Sequence, residues 1–199
     1  MGYEIIVIGT SWGGLTALRE LIGRLPSGFT LPVVVVQHRH KHSDHLLARL
    51  LQDRTPLCVS DVEDKAPIKR GNVYLAPADY HLLIEAGFFS LSIDEPVRYS
   101  RPSIDVTFVS AADTYGDRSA GVVLTGANAD GARGLKRIFQ RGGLAIVQRP
   151  DSAESPTMPL AALACVPEAR SLTLEEIADT LGSLPWAEPG PTPRSPDRR

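Results

Sequence analysis

Short β-branched runs alternate along this chain with segments whose apolar residues recur at helical spacing. Residues 4–8 read as a strand, and 12–24 as a helix with Leu15, Leu18, Leu21 and Ile22 on one face. Residues 32–37 contain four consecutive valines, the pattern of a parallel strand covered on both faces. A helix over 45–53 and a short strand over 57–60 follow. Between 71 and 96 the texture changes: 72–76, 81–85 and 88–93 read as short strands separated by Pro-Ala-Asp and Ala-Gly turns, which predicts an antiparallel appendage. Beyond it come a helix over 104–115 capped by Ser103, a strand over 120–125, a helix over 130–141 and a strand over 144–148. Helices over 158–164 and 174–184, with a short strand near 170–173, complete the series. The fold class expected is α/β, with a doubly wound, mostly parallel sheet, helices on both faces and a small antiparallel appendage. The domain is expected to span 1–186, and the Pro/Arg-rich stretch 187–199 to be a solvated tail.

Composition narrows the class without naming a chemistry. A chain of 199 residues with 43% hydrophobic content suits one domain with its own core, needing neither disulfide nor structural metal. The balance of 21 basic against 23 acidic side chains gives no reason to expect a nucleic-acid surface. No apolar run approaches the roughly 20 residues of a membrane span, so no direct membrane insertion is expected. The start, Met1-Gly2-Tyr3-Glu4, lacks the basic flank and long apolar region of a secretory signal. Cys58 and Cys165 sit among apolar neighbours and are expected to be buried packing thiols of a reduced, cytoplasmic protein.

Candidate chemistry gathers at the strand ends, where open α/β sheets bind ligands. The first strand runs into Gly9-Thr10-Ser11-Trp12-Gly13-Gly14, the second into Gln37-His38, and the strand over 120–125 into Gly126-Ala127-Asn128-Ala129-Asp130-Gly131. Ser11, His38 and Asp130 thus supply a hydroxyl nucleophile, a base and a group to orient the base. Ser11 taken alone reads as a helix N-cap, but the flanking glycines allow the tight turn that exposes a nucleophile, and the Trp12 N–H is a natural oxyanion donor. Asp130 taken alone reads as a cap of the helix that begins there. A dinucleotide loop is the rival reading of the same glycines; the G-x-G-x-x-G spacing is absent, and Gln37-His38 stands where an acidic ribose ligand belongs. His38, His40, His42 and His45 lie close together, yet Arg39 and Lys41 put positive charge among them, so no metal site is expected; His40, His42 and His45 read as a solvated loop and helix start.

Taken in order, the landmarks resemble the catalytic domain of the chemotaxis protein-glutamate methylesterases. They are Ile-Gly-Thr-Ser-x-Gly-Gly at 8–14, Val-Val-Gln-His at 35–38, Gly-Asn-Val-Tyr-Leu-Ala-Pro at 71–77 with His81-Leu82, Arg-Pro-Ser-Ile-Asp at 101–105, Leu124-Thr125-Gly126 with Asp130-Gly131, and Gln148 with Met158-Pro159. The resemblance runs from about residue 4 to 184. It implies a serine esterase that hydrolyses γ-glutamyl methyl esters of methyl-accepting chemoreceptors, releases methanol, and can deamidate receptor glutamines, with no cofactor. The triad it implies is Ser11, His38 and Asp130, with backbone N–H groups of Trp12 and Ala127 as oxyanion donors and Arg101, Ser103 and Asp105 as cleft residues that bind substrate. Ser103 and the residues around it read otherwise as a turn and helix cap. Two positions depart from the family pattern. Trp12 replaces a small hydroxyl residue, which removes a partner that would orient His38 and puts an indole beside the nucleophile; Ala127 replaces methionine. These departures support an alternative, a catalytically weak relative that binds a receptor or signalling partner. With the first core strand at about residue 4, a receiver domain is not expected in the chain; regulation then falls to a separate response-regulator protein, or the domain is constitutively accessible, or it serves a pathway outside ordinary chemotaxis.

Overall fold

The computed structural model describes residues 2–39 and 46–187. The centre of the sheet is β1 (Ile5–Thr10), six consecutive buried residues. Its alternation divides two cores: Ile5 and Val7 face one, Ile6 and Ile8 the other. Helix α1 (Gly14–Gly23) carries the chain to β2 (Val33–Gln37), and α2 (Leu46–Gln52) leads to β3 (Cys58–Asp61) and β4 (Asn72–Leu75). A hairpin of β5 (His81–Glu85) and β6 (Phe88–Ser92) precedes α3 (Ile104–Tyr115). The second half is β7 (Ser119–Val123), α4 (Ala132–Gln140), β8 (Leu144–Gln148), α5 (Thr157–Cys165), β9 (Arg170–Leu172) and α6 (Leu174–Gly182).

The strands form one parallel sheet in the order β3-β4-β2-β1-β7-β8-β9. The chain winds outward from β1 through β2, then returns to β7 on the other side of β1, which makes the carboxyl end of β1 the switch point. Leu18, Leu21 and Ile22 of α1, Leu51 of α2 and Ile177 and Leu181 of α6 cover one face. Phe108 of α3, Leu135 and Ile138 of α4 and Met158 of α5 cover the other, together with Leu82, Ile84 and Phe89 of the hairpin. Among the described residues no helix is long and apolar enough to cross a membrane.

Three expectations change. Residues 72–75 belong to the parallel sheet, between β3 and β2, and among the strands of the described residues only β5 and β6 pair antiparallel. Val73, Tyr74 and Leu75 are all buried, so this short run meets a core on each face, as a central parallel strand does. Cys58 is exposed because β3 is an outer strand, and Cys165, at the end of α5, is part-buried; neither is a core thiol. Helix α1 begins at Gly14 because Gly13, at φ 77°, takes the left-handed turn between strand and helix. The solvated loop expected at His40, His42 and His45 lies outside the described residues, as does most of the expected tail; Ala187 donates its N–H to Tyr3 O at 2.8 Å.

Phe89 ties the hairpin to the sheet: it is fully buried and meets the Tyr74 ring edge-on at a centroid distance of 4.8 Å. Phe89→Ala is expected to lower the unfolding free energy by about 3–5 kcal/mol in urea denaturation. A loss below about 1 kcal/mol would mean that the hairpin is no part of the core.

Candidate active site

Parallel register brings the three strand-end segments together. Thr10 pairs with Gln37 and Gly9 with Val123, so Ser11, His38 and the loop after Leu124 leave the sheet side by side. Backbone bonds extend the register past the strands: Ser11 N–H donates to Thr125 O at 3.0 Å, and His38 N–H to Thr10 O at 3.1 Å. Gln37 Nε2 donates to both Ser11 O (2.9 Å) and His38 O (3.0 Å), clamping the two strand ends. Thr125 is fixed from three sides, by Gln148 Oε1 on its N–H, by Trp12 O on its hydroxyl proton, and by the Ser155 N–H on its hydroxyl oxygen. Gly126 has no room for a side chain, because a Cβ there would collide with the Met158 sulfur and lie 3.0 Å from Ser11 Cβ. These contacts explain why Gln37, Thr125, Gly126, Gln148 and Met158 recur among the sequence landmarks.

His38 Nε2 lies 2.8 Å from Asp130 Oδ2, with the imidazole 13% exposed and Asp130 buried. A carboxylate oxygen accepts, so the ring proton sits on Nε2 and Nδ1 carries a lone pair. Nδ1 faces the Asn128 amide, with Nδ2 at 3.0 Å. Among the described residues the Ser11 hydroxyl makes no hydrogen bond, and neither the Trp12 nor the Ala127 backbone N–H donates to another group. Both ring nitrogens of His38 are therefore held, although position 12 has no hydroxyl; the second partner is Asn128. Sequence reasoning missed that role. Its one legible signal was Asn128-x-Asp130, an Asx turn in which Asn128 Oδ1 accepts the Asp130 N–H at 2.9 Å.

Asp130 does more than serve the helix that follows it, whose Gly131 N–H it accepts at 3.0 Å. Its carboxylate accepts the N–H groups of Ile104 (2.7 Å) and Asp105 (2.9 Å) and the Ser103 hydroxyl (3.0 Å), all at the start of α3. Asp105 returns the exchange: Oδ1 accepts from Gly131 N–H (2.9 Å) and Gly134 N–H (2.8 Å) at the start of α4. Each helix is capped by a carboxylate from the other. Burial alone would raise the Asp130 carboxyl, but hydrogen bonds from His38, Asp105 and Ile104 outweigh it and hold Asp130 below the usual carboxylate range. Asp105 moves the other way, pushed up by burial and by the neighbouring Asp130 charge against the pull of the Gly134 and Gly131 N–H groups.

Of the residues expected to bind substrate, Ser103 and Asp105 are buried and engaged in this exchange, so they support Asp130 and the helix starts instead of lining the cleft. The Ser103 side chain makes no cap bond of its own, its hydroxyl having gone to Asp130. His81 Nδ1 accepts the Ser103 N–H at 3.2 Å, which explains the landmark at 81. Arg101 does line a groove of about 520 Å³ beside His38, with Arg39, Asp79, Pro96, Tyr99, Ser100 and Pro102. Its guanidinium is held by Asp79 Oδ1 (2.6 Å) and by the carbonyls of Ile93 and Asp94. Trp12 is 67% exposed next to Ser11. Among the described residues no cluster of His, Cys, Asp and Glu could hold a metal ion.

The sheet and its hairpin have the fold of a methylesterase catalytic domain. The crystal structure of the Thermotoga maritima CheB methylesterase catalytic domain superposes with a TM-score of 0.87 at 32% identity, covering 91% of this chain and 98% of that one. The CheB methylesterase family model matches residues 6–181, and the chain belongs to that family. A putative protein-glutamate methylesterase/protein-glutamine glutaminase of Leptospira interrogans is 48% identical over 180 residues, covering 90% of this chain and 93% of its own length. A protein-glutamate methylesterase/protein-glutamine glutaminase of Carboxydothermus hydrogenoformans is 38% identical over 188 residues, which is 92% of this chain but 55% of that protein.

The opposed carboxylates give a signed pH dependence. An unfolded aspartate ionises near pH 3.9, roughly, whereas folded Asp105 ionises higher. In that window the unfolded state holds fewer protons, so the unfolding free energy falls as pH rises. Asp105→Asn keeps an oxygen for the two N–H groups and removes this dependence. The stability of the natural protein relative to Asp105→Asn is therefore expected to decline from about pH 4 towards neutrality in urea denaturation; a pH-independent difference would contradict the assignment.

Proposed function

We propose that this chain is a serine hydrolase that cleaves γ-glutamyl methyl esters of methyl-accepting chemoreceptors, releasing methanol, and that it also deamidates glutamine side chains with release of ammonia. The reading is supported by the names of the relatives above. It is carried by one observation, the contact of His38 Nε2 with the buried Asp130 carboxylate at the strand end adjoining Ser11. Asp130 fixes the imidazole tautomer and stabilises its cationic form. Nδ1 of His38 takes the proton of Ser11 Oγ as that oxygen attacks the ester carbonyl. The Trp12 and Ala127 N–H groups receive the oxyanion. As the tetrahedral intermediate collapses, the ester C–O bond breaks and Nδ1–H protonates the departing methoxide to methanol. Water, deprotonated by the same nitrogen, then attacks the acyl-enzyme and restores Ser11 and a free carboxylate.

All of these groups come from the protein, and the reaction needs no cofactor. The groove beside His38, walled by Tyr99 and Arg101, is the surface that receives a receptor segment. Residues 1–186 form the catalytic unit and 187–199 its tail. The protein works in the cytoplasm.

Ser11→Ala is expected to abolish methanol release from methylated chemoreceptor and from a simple glutamate methyl ester, with an unchanged thermal midpoint. Methanol release at the natural rate in that variant would remove the nucleophile assignment. Asp130→Asn is expected to lower kcat by about 10⁴, the scale set by losing the carboxylate that selects the tautomer. A decrease seen only in KM would place Asp130 outside the reaction.

A further inference from the structure

The lone pair on His38 Nδ1 is already taken in this structure. Nε2 belongs to Asp130, so Nδ1 is the one ring nitrogen that can serve Ser11, and Asn128 Nδ2 donates to it at 3.0 Å. The direction of the amide is fixed independently, because Asn128 Oδ1 accepts the Asp130 N–H at 2.9 Å, which turns the NH₂ group towards the ring. Meanwhile the Ser11 hydroxyl has no partner among the described residues. Among the described residues the other charges lining the groove with the ring are engaged elsewhere: the Arg39 guanidinium bonds Asp61 Oδ1 and Ala76 O, and Arg101 pairs with Asp79. Asp105 acts on His38 only through Asp130.

We propose that Asn128 is a positioning residue that holds the base of this enzyme in a capped resting state, competing with Ser11 for the imidazole lone pair. Catalysis then requires the Asn128 Nδ2–H to leave Nδ1 so that the Ser11 O–H can replace it. No atom is gained or lost; one donor is exchanged for another at the same nitrogen. The amide stabilises the neutral ring, keeps it in the productive tautomer and slows spontaneous reaction of Ser11, while a substrate that fills the cleft would favour the exchanged state. This inference rests on the reading of Ser11 and His38 as nucleophile and base.

The experiment compares the natural protein with Asn128→Gly, Asn128→Asp and Ser11→Ala. It reads the rate at which a fluorophosphonate labels Ser11, and the ¹⁵N resonances of His38. Asn128→Gly frees Nδ1 and is expected to label about 2- to 10-fold faster, the scale of one neutral hydrogen bond. Its Nδ1 resonance should move towards that of an unbonded acceptor while Nε2 stays protonated. Asn128→Asp keeps an oxygen for the Asp130 N–H but faces the ring with an acceptor. It is expected to hold His38 doubly protonated, to label more slowly at pH 7, and to move the acid limb of the kcat/KM profile to higher pH. A residue that merely shapes the turn would give a different pattern: no acceleration in Asn128→Gly, and neither the pH profile nor the His38 resonances altered in Asn128→Asp. That result would overturn the proposal. Failure of the natural protein to label at Ser11 would overturn the nucleophile reading itself, whereas labelling without acceleration in Asn128→Gly overturns the Asn128 role alone.

Discussion

A carboxylate buried at the switch point of the sheet needs partners, and most of the site is organised by finding them. Asp130 has five donors, from Ser103, Ile104, Asp105, Gly131 and His38. Four of them come from the starts of α3 and α4, where helix geometry leaves N–H groups without partners. A buried anion and unsatisfied helix ends are each unfavourable alone, and each removes the other's penalty. The histidine shares Oδ2 with the Ile104 N–H, so the stability of the fold and the tautomer of the base are set by one group.

Around this anion the parallel sheet works as a register device. Ser11, His38 and the loop to Asp130 come from residues far apart in sequence, yet they emerge on adjacent strands at matching heights. The side chains of Gln37, Thr125 and Gln148 then continue the hydrogen-bond pattern beyond the point where the strands stop. Polar side chains here take the place of missing sheet partners, which allows irregular backbone to be held nearly as firmly as a strand.

Most of the layout was legible because it follows from periodicity. The valine run at 33–36 and the apolar stripe of α1 fix a covered parallel sheet, and strand ends rich in Gly, Ser, His and Asp mark where a site can sit. What escaped were interactions that depend on pairing across the chain. Residues 72–75 look like any short strand, and only the cores on both faces place them inside the sheet. Cys58 has apolar neighbours in sequence but stands on an outer strand. Ser103, Asp105 and Asp130 each read locally as a cap for their own helix; nothing within a short window says that two helices will exchange carboxylates. Asn128 was passed over for the same reason, since its local Asx turn is visible whereas its contact to His38 is not.

The exchange of caps also bears on how the molecule comes apart. In an ordinary helix the first amides fray early and trade their hydrogens with water long before the centre does. At the starts of α3 and α4 the amides of Ile104, Asp105, Gly131 and Gly134 are each held by a carboxylate from the other helix start, Gly131 sharing its bond with Asp130. Opening any of them breaks a bond that crosses between the two helices, so fraying at one end is coupled to the other. The helix ends next to the reactive groups are thus tied to each other, and loosening one loosens the site.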